Sequence, residues 1–219
     1  MIYPLIGLMG PAGAGKSTIA KLLAHHHGYD GRSFANGVRE ELAAAIRKDD
    51  YAPGCPKFEI PDDISADMLV YRKPIPPDLR AALQWWGTEY RRRQDIGYWM
   101  KNIYLQPKKP TVIDDVRFYN EALFVLAHGG TLVLVRGRQA EGVPAHASEN
   151  WATVWRMLQR LHEAETHEWS LDLHSPGHII PHFHMLTCNN TGTLEELASK
   201  VKVLERLAYE HTLELVSNV

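Results

Sequence analysis

The sequence predicts an α/β fold in which a parallel sheet of about five strands lies between two layers of helices. Short apolar runs alternate with segments whose apolar residues recur at helical spacing, which is the pattern of β-α-β units. The chain has 219 residues, 45% of them hydrophobic. That is enough for one three-layer α/β/α core and too little for two. We therefore expect a single domain, residues 1–219, that carries insertions.

Five short runs rich in apolar and β-branched residues are the predicted strands, because each has strand length and is bounded by turn residues or helical patterns. They cover residues 2–9, 32–35, 111–114, 131–135 and 184–187. Ligands of open parallel sheets bind beyond the carboxyl ends of the strands. We therefore expect the chemistry of this chain at those ends.

Helices are predicted between the strands from the spacing of apolar residues. They cover residues 17–27, 38–48, 78–93, 96–105, 120–128 and 151–165, and a last helix opens near Thr193. Gly28 and Gly129 stop two of them, and Thr193 with Glu196 forms a capping box. Two stretches interrupt the alternation: residues 49–109, which begin with a proline-rich irregular segment, and residues 137–182.

The segment from Gly10 to Ser17 fits the phosphate-binding pattern G-x-x-x-x-G-K-[ST] between a strand and a helix. Its backbone N–H groups and the following helix N-terminus would surround the phosphates, Lys16 would reach the β- and γ-phosphates, and the Ser17 hydroxyl would coordinate Mg2+. A P-loop NTPase fold that uses ATP and Mg2+ is therefore predicted. The expected ATP contacts in this segment are Gly10, Ala12, Gly13, Ala14, Gly15, Lys16, Ser17 and Thr18.

Two carboxylates and a cation follow the third predicted strand. Asp114 and Asp115 stand where P-loop proteins place the carboxylate that orients magnesium, and we assign that role to Asp115. Asp114 is then a turn or cap residue. Arg117 lies at the same strand end, where a cation would meet a phosphate group.

Two pairs of arginines compete for the neutralisation of the transferred phosphoryl group. Arg136 and Arg138 follow the fourth strand, where many P-loop kinases carry a lid, and they are our catalytic candidates. Arg156 and Arg160 lie one turn apart on a predicted helix and remain the alternative. We assign the lid to residues 137–182.

A basic and aromatic stretch suits a nucleotide acceptor. From Tyr90 to Lys109 there are six basic residues against one acid, Asp95, and Trp85 precedes the stretch. Arginines recognise phosphate oxygens and aromatic rings stack on bases. After the second strand, Asn36 and Arg39 stand where a hydroxyl acceptor would need a carboxylate base, which favours an acceptor that is itself a phosphate. We assign acceptor binding to residues 49–109.

Overall charge and motif content argue against other classes. The net charge is -2, with a pI near 6.6, so no global basic field favours nucleic acid. The segment from Asn189 to Gly192 lacks the N-K-x-D motif of signalling GTPases. His174, His178, His182 and His184 lack a carboxylate or cysteine partner, and we interpret them as polar or partly buried residues rather than metal ligands.

The sequence also predicts a cytoplasmic protein without a membrane partner. Its first apolar run is too short to span a membrane and leads straight into the phosphate loop, so we interpret it as a strand rather than a signal peptide. Cys55 and Cys188 have no disulfide or metal spacing. A homodimer remains possible from sequence alone.

Several motifs together resemble the deoxynucleoside monophosphate kinases of tailed bacteriophages. They are Leu83-Gln84 with Gly87-Thr88-Glu89, Asp115-Val116-Arg117-Phe118 with Asn120-Glu121, His146-Ala147-Ser148-Glu149, and Asn189 with Gly192-Thr193-Leu194-Glu195-Glu196-Leu197. The resemblance implies transfer of the γ-phosphoryl group of ATP to a deoxynucleoside 5′-monophosphate, with Mg2+, for DNA synthesis in an infected bacterium. It implies an acceptor and lid region lined by Arg39, Glu89, Arg92, Arg117, Arg136, Glu149 and Trp151, and an ATP contact by Asn189.

One alternative acceptor remains. A related phage P-loop kinase would phosphorylate a hydroxymethyl group on a modified pyrimidine, in DNA or as a nucleotide, and the stretch from Tyr90 to Lys109 would then contact nucleic acid. A non-catalytic nucleotide-binding module is a third interpretation. Lys16, Ser17 and Asp115 argue against it, since a mere binding module needs no complete catalytic set.

Overall fold

A single parallel sheet organises the fold. The computed structural model describes residues 3–103, 105, 109–137, 150–165 and 184–217, and for 161–165 it describes the backbone only. The strands are β1 (Leu5–Met9), β2 (Asp30–Arg32), β3 (Thr111–Val116), β4 (Thr131–Gly137) and β5 (His184–Asn190). They are hydrogen-bonded in parallel in the order β2-β3-β1-β4-β5. The predicted five-stranded parallel sheet is confirmed.

Helices connect the strands and cover the sheet. They are α1 (Lys16–His27), α2 (Phe34–Lys48), α3 (Ala66–Tyr71), α4 (Pro77–Trp85), α5 (Tyr119–Ala127), α6 (Trp151–Glu165) and α7 (Leu194–Ser217). A π-helical stretch, Trp86–Arg92, continues α4, and a 3-10 turn covers Tyr98–Asn102. At 24 residues α7 is the longest described helix, and neither it nor any other described helix is apolar enough over a sufficient length to cross a bilayer.

Alternating residues of β1 face two different helical layers. Ile6 and Leu8 are fully buried in a core cluster with residues of α1 and α7, such as Leu23 and Leu204. Gly7 points the other way, and a Cβ there would lie 2.8 Å from the Val125 side chain of α5. Because successive residues of a strand point to opposite faces, the sheet is covered on both sides. The predicted three-layer α/β/α arrangement is confirmed.

The chain divides into two compact units. The sheet unit comprises Met1–Arg32 and Leu105–Val219, and the helical unit comprises Ser33–Tyr104. Every strand belongs to the sheet unit, which also carries the phosphate loop. Helices α2, α3 and α4, the π-helical stretch and the 3-10 turn make up the helical unit.

Two predicted elements were wrong. Residues 32–35 do not form the second strand: β2 ends at Arg32, and Ser33 is the extended residue that precedes α2. Among the described residues of 96–105 the 3-10 turn, Tyr98–Asn102, stands in place of the predicted helix. Its Trp99 is 1% exposed and donates a hydrogen bond from Nε1 to the Gly87 carbonyl oxygen, 2.9 Å away. Burial of that ring fixes a tight turn in place of a helix.

Three strands are longer than predicted. β3 extends to Val116 rather than ending at Asp114, β4 extends to Gly137 rather than Val135, and β5 extends to Asn190 rather than Thr187. The polar residues at these ends are therefore strand residues. Neighbours along β5 point to opposite faces, since its pairing with β4 is regular, whereas the pairing of β1 with β3 shifts register between Gly7 and Met9.

Candidate active site

The phosphate loop lies at the carboxyl end of β1 and leads directly into α1. Gly15, the residue before the helix, has φ of +97°, a conformation that favours glycine. Lys16 is the first residue of α1, so the first free N–H groups of the helix and its positive dipole end meet at the loop. This arrangement binds anions without any further group.

The Lys16 side chain lies over the loop. Its Nζ donates hydrogen bonds to the carbonyl oxygens of Gly10 and Pro11, at 2.8 and 2.7 Å. The ammonium group is therefore held at the loop by neutral acceptors. A phosphate oxygen is a charged acceptor and makes the stronger hydrogen bond with an ammonium group.

Ser17 meets one of the two carboxylates of β3. Its hydroxyl donates to Asp114 Oδ2 at 3.0 Å. Asp115, the residue to which the sequence analysis assigned the metal, is 8% exposed. The structure thus brings the first carboxylate of the pair to the loop serine, while the assignment of magnesium to Asp115 stays a prediction.

Glu121 organises the chain after β3. It is 1% exposed, and its Oε2 accepts hydrogen bonds from the backbone N–H groups of Arg117 and Phe118, at 2.8 and 3.0 Å. These bonds fix the turn that carries Arg117 from β3 into α5. Sequence analysis used Glu121 only as part of a motif and did not assign it this role.

A cavity of about 440 Å³ lies beside the loop at the carboxyl end of β4. Its lining includes Pro11 of the loop, Arg136 of β4, and Trp151 and Arg156 of α6. One arginine from each of the two competing pairs therefore lines the same cavity. Arg160 is exposed on α6 and is not among the lining residues, and Arg138 and Glu149 lie outside the described residues.

Arg136 is an exposed cation at this cavity, and among the described residues it makes no hydrogen bond or ion pair. Arg156 is also exposed and, within the same part of the chain, it donates to Ala152 and Thr153 of its own helix, at 3.3 and 3.5 Å. Neither arginine is paired with an acid among these residues.

Asn189 does not contact the phosphate loop through a described hydrogen bond. It is exposed, its carbonyl oxygen accepts a hydrogen bond from Lys200 Nζ at 2.8 Å, and it lines a groove between β5 and α7. Its neighbour Asn190 contacts the loop instead: Nδ2 donates to the Ala14 carbonyl oxygen at 2.8 Å.

The helical unit has its own polar centre, the Glu41 cluster, formed by Glu41, Trp86, Arg91 and Tyr98. Glu41 accepts hydrogen bonds from Trp86 Nε1 at 3.0 Å, Arg91 Nε at 2.7 Å and the Tyr98 hydroxyl at 2.5 Å. The hydrogen bond to Glu41, followed by burial, raises the pKa of Tyr98. The Arg91 guanidinium also lies over the rings of Tyr90 and Tyr98, 4.7 and 4.9 Å from their centroids.

The helical unit contains four of the predicted acceptor residues. Arg39 lies over the Tyr71 ring, 5.4 Å from its centroid, and donates to the Val70 carbonyl oxygen. Trp85 stacks parallel to Tyr90, with centroids 5.5 Å apart. Glu89 is exposed, and Arg92 is half-buried, with a 3.5 Å contact from its guanidinium to the Ile96 carbonyl oxygen.

The basic stretch is less positive than its sequence suggests. Arg91 is paired with Glu41 at 2.7 Å, and Lys101 is paired with Asp95 at 2.5 Å. The hydrogen bond from Lys101, followed by one from the Gly97 N–H, lowers the pKa of Asp95. Two of the six basic side chains therefore have acidic partners.

Of the four clustered histidines, the structure describes His184, which lies at the amino end of β5. His184 opens β5, its Nδ1 is 2.8 Å from Thr131 Oγ1, and its ring stacks on His211 of α7 with centroids 4.3 Å apart. Burial, with a smaller effect of His211, lowers the pKa of His184 to about 4. His174, His178 and His182 lie outside the described residues, and among those described no three His, Cys, Asp or Glu side chains come together as a metal site.

A curated relative comes from a virus. The chain is 32% identical over 161 residues to a protein of Acanthamoeba polyphaga mimivirus named "Putative deoxynucleotide monophosphate kinase", a match that covers 66% of this chain and 80% of the relative. The chain matches no protein-family model. The tailed-bacteriophage origin implied by the sequence resemblance stays a prediction.

Two kinases are among the solved structures to which the chain is similar. Shikimate kinase from Acinetobacter baumannii, in complex with shikimate, superposes with a TM-score of 0.39 at 14% identity, over 92% of each chain. Dephospho-CoA kinase from Campylobacter jejuni gives a TM-score of 0.40 at 11% identity, over 95% of this chain and 98% of that one. At these scores the likenesses carry no argument about function, and the fold assignment depends on the strand order and the loop.

Proposed function

The chain belongs to the deoxynucleotide monophosphate kinase family, and on that premise we propose that it transfers the γ-phosphoryl group of ATP to a deoxynucleoside 5′-monophosphate. The products are ADP and a deoxynucleoside diphosphate. The observation that carries the proposal is the loop from Gly10 to Ser17, with the Lys16 ammonium over it and the Asp114 carboxylate bonded to Ser17. In the setting that the sequence predicts, the product supplies phage DNA synthesis in the host cytoplasm.

On the donor side, the loop amides and Lys16 hold the β- and γ-phosphates. The Ser17 hydroxyl and the Asp114 carboxylate, 3.0 Å apart, are oxygen donors of the kind that Mg2+ binds, so these residues fit the ion. We propose that Ser17 and Asp115 hold magnesium or its water shell and that Asp114 orients the Ser17 hydroxyl. Bound Mg2+ neutralises charge on the β- and γ-phosphates.

Arg136, with Arg156 beside it, is proposed to neutralise the phosphoryl group during transfer. Both line the cavity next to Pro11, and their charges have no acidic partner among the described residues. In the loose transition state the transferred group and the departing oxygen both carry negative charge next to the anionic acceptor, so fixed cations lower its energy. Arg138 keeps the same proposed role, and residues 137–182 are the proposed lid.

Acceptor binding is proposed for Arg117 and Trp151 of the sheet unit and for residues 49–109, together with Arg39. An arginine beside a phosphate supplies two parallel N–H donors and an opposite charge, and the Trp85–Tyr90 stack offers an aromatic surface to a base. Glu89, Arg92 and Glu149 complete the proposed acceptor set.

The chemical step needs no general base. An oxygen of the acceptor monophosphate, already an anion, forms a bond to the γ-phosphorus, and the bond from that phosphorus to the oxygen bridging it to the β-phosphate breaks in line with it. The electron pair of the broken bond leaves with ADP. The protein contributes by positioning, by cationic charge and by exclusion of water.

A modified pyrimidine in DNA is the less supported acceptor. The stretch from Tyr90 to Lys109 would have to track nucleic acid, yet Arg91 and Lys101 are engaged by Glu41 and Asp95. Phosphate contacts with nucleic acid need cations that are free to displace counterions. A small nucleotide needs only a few of them.

The proposal is tested by ADP release with Mg-ATP across a panel of acceptors. The panel contains dAMP, dGMP, dCMP, dTMP, 5-hydroxymethyl-dUMP and hydroxymethyluracil-containing DNA. Turnover on at least one of dAMP, dGMP, dCMP and dTMP, absent in Lys16→Ala, supports the proposal and gives the base preference. Turnover on 5-hydroxymethyl-dUMP or the DNA and on none of these four would replace it with the modified-pyrimidine kinase, and silence in every well would overturn both.

A further inference from the structure

The back of the phosphate loop is packed against the end of β4 without room for side chains. A Cβ on Gly10 would lie 2.3 Å from the Val135 carbonyl oxygen, and a Cβ on Gly137 would lie 2.7 Å from the Ala14 carbonyl oxygen. Real Cβ atoms do not approach backbone so closely. Backbone contact with β4 therefore holds two points of the loop.

The end of β5 supplies a third contact through one side chain. Asn190 is the last residue of β5 and pairs with Gly137 in the sheet. Its Nδ2 donates to the Ala14 carbonyl oxygen at 2.8 Å, and a Cβ on Gly15 would lie 2.1 Å from the same nitrogen. The amide group is thus packed against the Ala14–Gly15 peptide, with a directed hydrogen bond as well as steric contact.

We propose that Asn190 is a positioning residue for the nucleotide phosphates, an inference that rests on the proposed ATP site. In a trans peptide the carbonyl oxygen and the next N–H point in opposite directions. When Asn190 holds the Ala14 carbonyl toward β5, the Gly15 N–H is directed away from β5. The bond therefore fixes the orientation of the Ala14–Gly15 peptide, which directly precedes Lys16 and the start of α1.

Alternation along β5 separates Asn190 from Asn189. The two residues point to opposite faces of the strand, and only Asn190 has a described bond to the loop. Thr187, on the same strand, is exposed and has no assigned role in the site, so Thr187→Ala is the control.

The experiment measures steady-state kinetics and the Kd for Mg-ADP with the full chain and the variants Asn190→Ala, Asn190→Asp and Thr187→Ala. Loss of one directed hydrogen bond should raise the Kd for Mg-ADP and the KM for ATP about tenfold in Asn190→Ala, with the acceptor KM unchanged. Asn190→Asp should bind Mg-ADP still more weakly, because it sets a negative acceptor against the Ala14 carbonyl oxygen. Thr187→Ala should match the wild type.

The outcomes separate this inference from the proposed function. A purely structural role would lower the active fraction, so kcat would fall with the KM for ATP unchanged, and that result would overturn the inference. Equal Mg-ADP affinity in wild type and Asn190→Ala would also overturn it and leave the kinase assignment intact. A wild-type protein that binds no Mg-ADP would remove both.

A measurement on the wild type covers the case in which the variants do not fold. The Asn190 side-chain amide signals in a nitrogen-resolved NMR spectrum should shift when Mg-ADP is added, because the bonded peptide carries the phosphate-facing N–H. Asn190 signals that stay unchanged while the loop amides shift would contradict the inference.

Discussion

The phosphate loop and the Glu41 cluster are both held in fixed conformations, but by different means. In the loop, backbone packs directly on backbone at Gly10 and Gly137, and one side chain, Asn190, completes the contact. In the Glu41 cluster one carboxylate accepts three hydrogen bonds from residues 45, 50 and 57 positions away. The loop leads into the N-terminus of α1, where an anionic ligand can bind, whereas the cluster uses its polar groups internally. Substitutions should therefore affect activity in the first region and stability in the second.

The largest effect is expected for Lys16→Ala. Removal of the ammonium group that contacts the transferred phosphate should lower kcat/KM at least about a hundredfold, near 3 kcal/mol of transition-state stabilisation. The thermal midpoint should change little, since Nζ donates to loop carbonyl oxygens and Lys16 is not part of the apolar core cluster. Lys21→Ala, an exposed lysine of the same helix, is the control. If Lys16→Ala keeps more than a tenth of the activity, the assignment is wrong.

Substitutions of the two carboxylates of β3, Asp114 and Asp115, should affect activity through Mg2+ rather than stability. We expect Asp114→Asn and Asp115→Asn each to raise the Mg2+ concentration for half-maximal activity about tenfold, since each removes a negative charge from the strand end that carries the Ser17 contact. A larger shift in Asp115→Asn would support its assignment to the metal. No shift in either variant would show that β3 contributes nothing to magnesium binding.

Glu41→Gln should reduce stability rather than affinity for ATP. The substitution leaves the half-buried Arg91 without its counter-charge and weakens three hydrogen bonds, at a cost of about 2 kcal/mol in the free energy of unfolding. Urea unfolding followed by tryptophan fluorescence measures it, since Trp86 reports on the cluster directly. Exposed Glu40→Gln is the control, and a midpoint equal to that of the control would contradict the role given to Glu41.

The smallest effect is expected at the amino end of β5, where His184 stacks on His211 near Glu214. The folded-state pKa of His184, about 4, lies below the usual value of 6.5. The unfolded chain therefore binds the proton more readily, and stability should fall as the pH drops from about 6.5 to about 4. After discounting for the half-exposed ring we expect about 1 kcal/mol. In His184→Asn the free energy of unfolding should depend less on pH between about 6.5 and about 4. An unchanged pH dependence in that variant would contradict the lowered pKa of His184.

Local patterns predicted the fold and the loop because their causes are local. The glycine, lysine and serine positions from Gly10 to Ser17 specify backbone conformation within eight residues. Alternation of apolar runs specified the sheet, since each run must bury its own surface.

Strand ends were harder to predict, and the site depends on them. The described side-chain bonds to the loop come from the ends of β3 and β5: Asp114 accepts from Ser17, and Asn190 donates to Ala14. Sequence analysis assigns roles to the adjacent Asp115 and Asn189, which stay predictions, and the register shift between β1 and β3 leaves no mark in the sequence. The Glu41 cluster was missed altogether, because its partners are distant in sequence and no spacing rule connects them.

The central claim is tested most directly by following the phosphoryl group itself. ATP labelled at the γ-phosphate is incubated with the protein, Mg2+ and a mixture of the four common deoxynucleoside monophosphates, and the labelled products are separated. We predict that the label appears in a deoxynucleoside diphosphate in equal amount to the ADP formed, and that Lys16→Ala gives none. Label found only as inorganic phosphate would contradict the account, because it would mean that the site hydrolyses ATP without an acceptor.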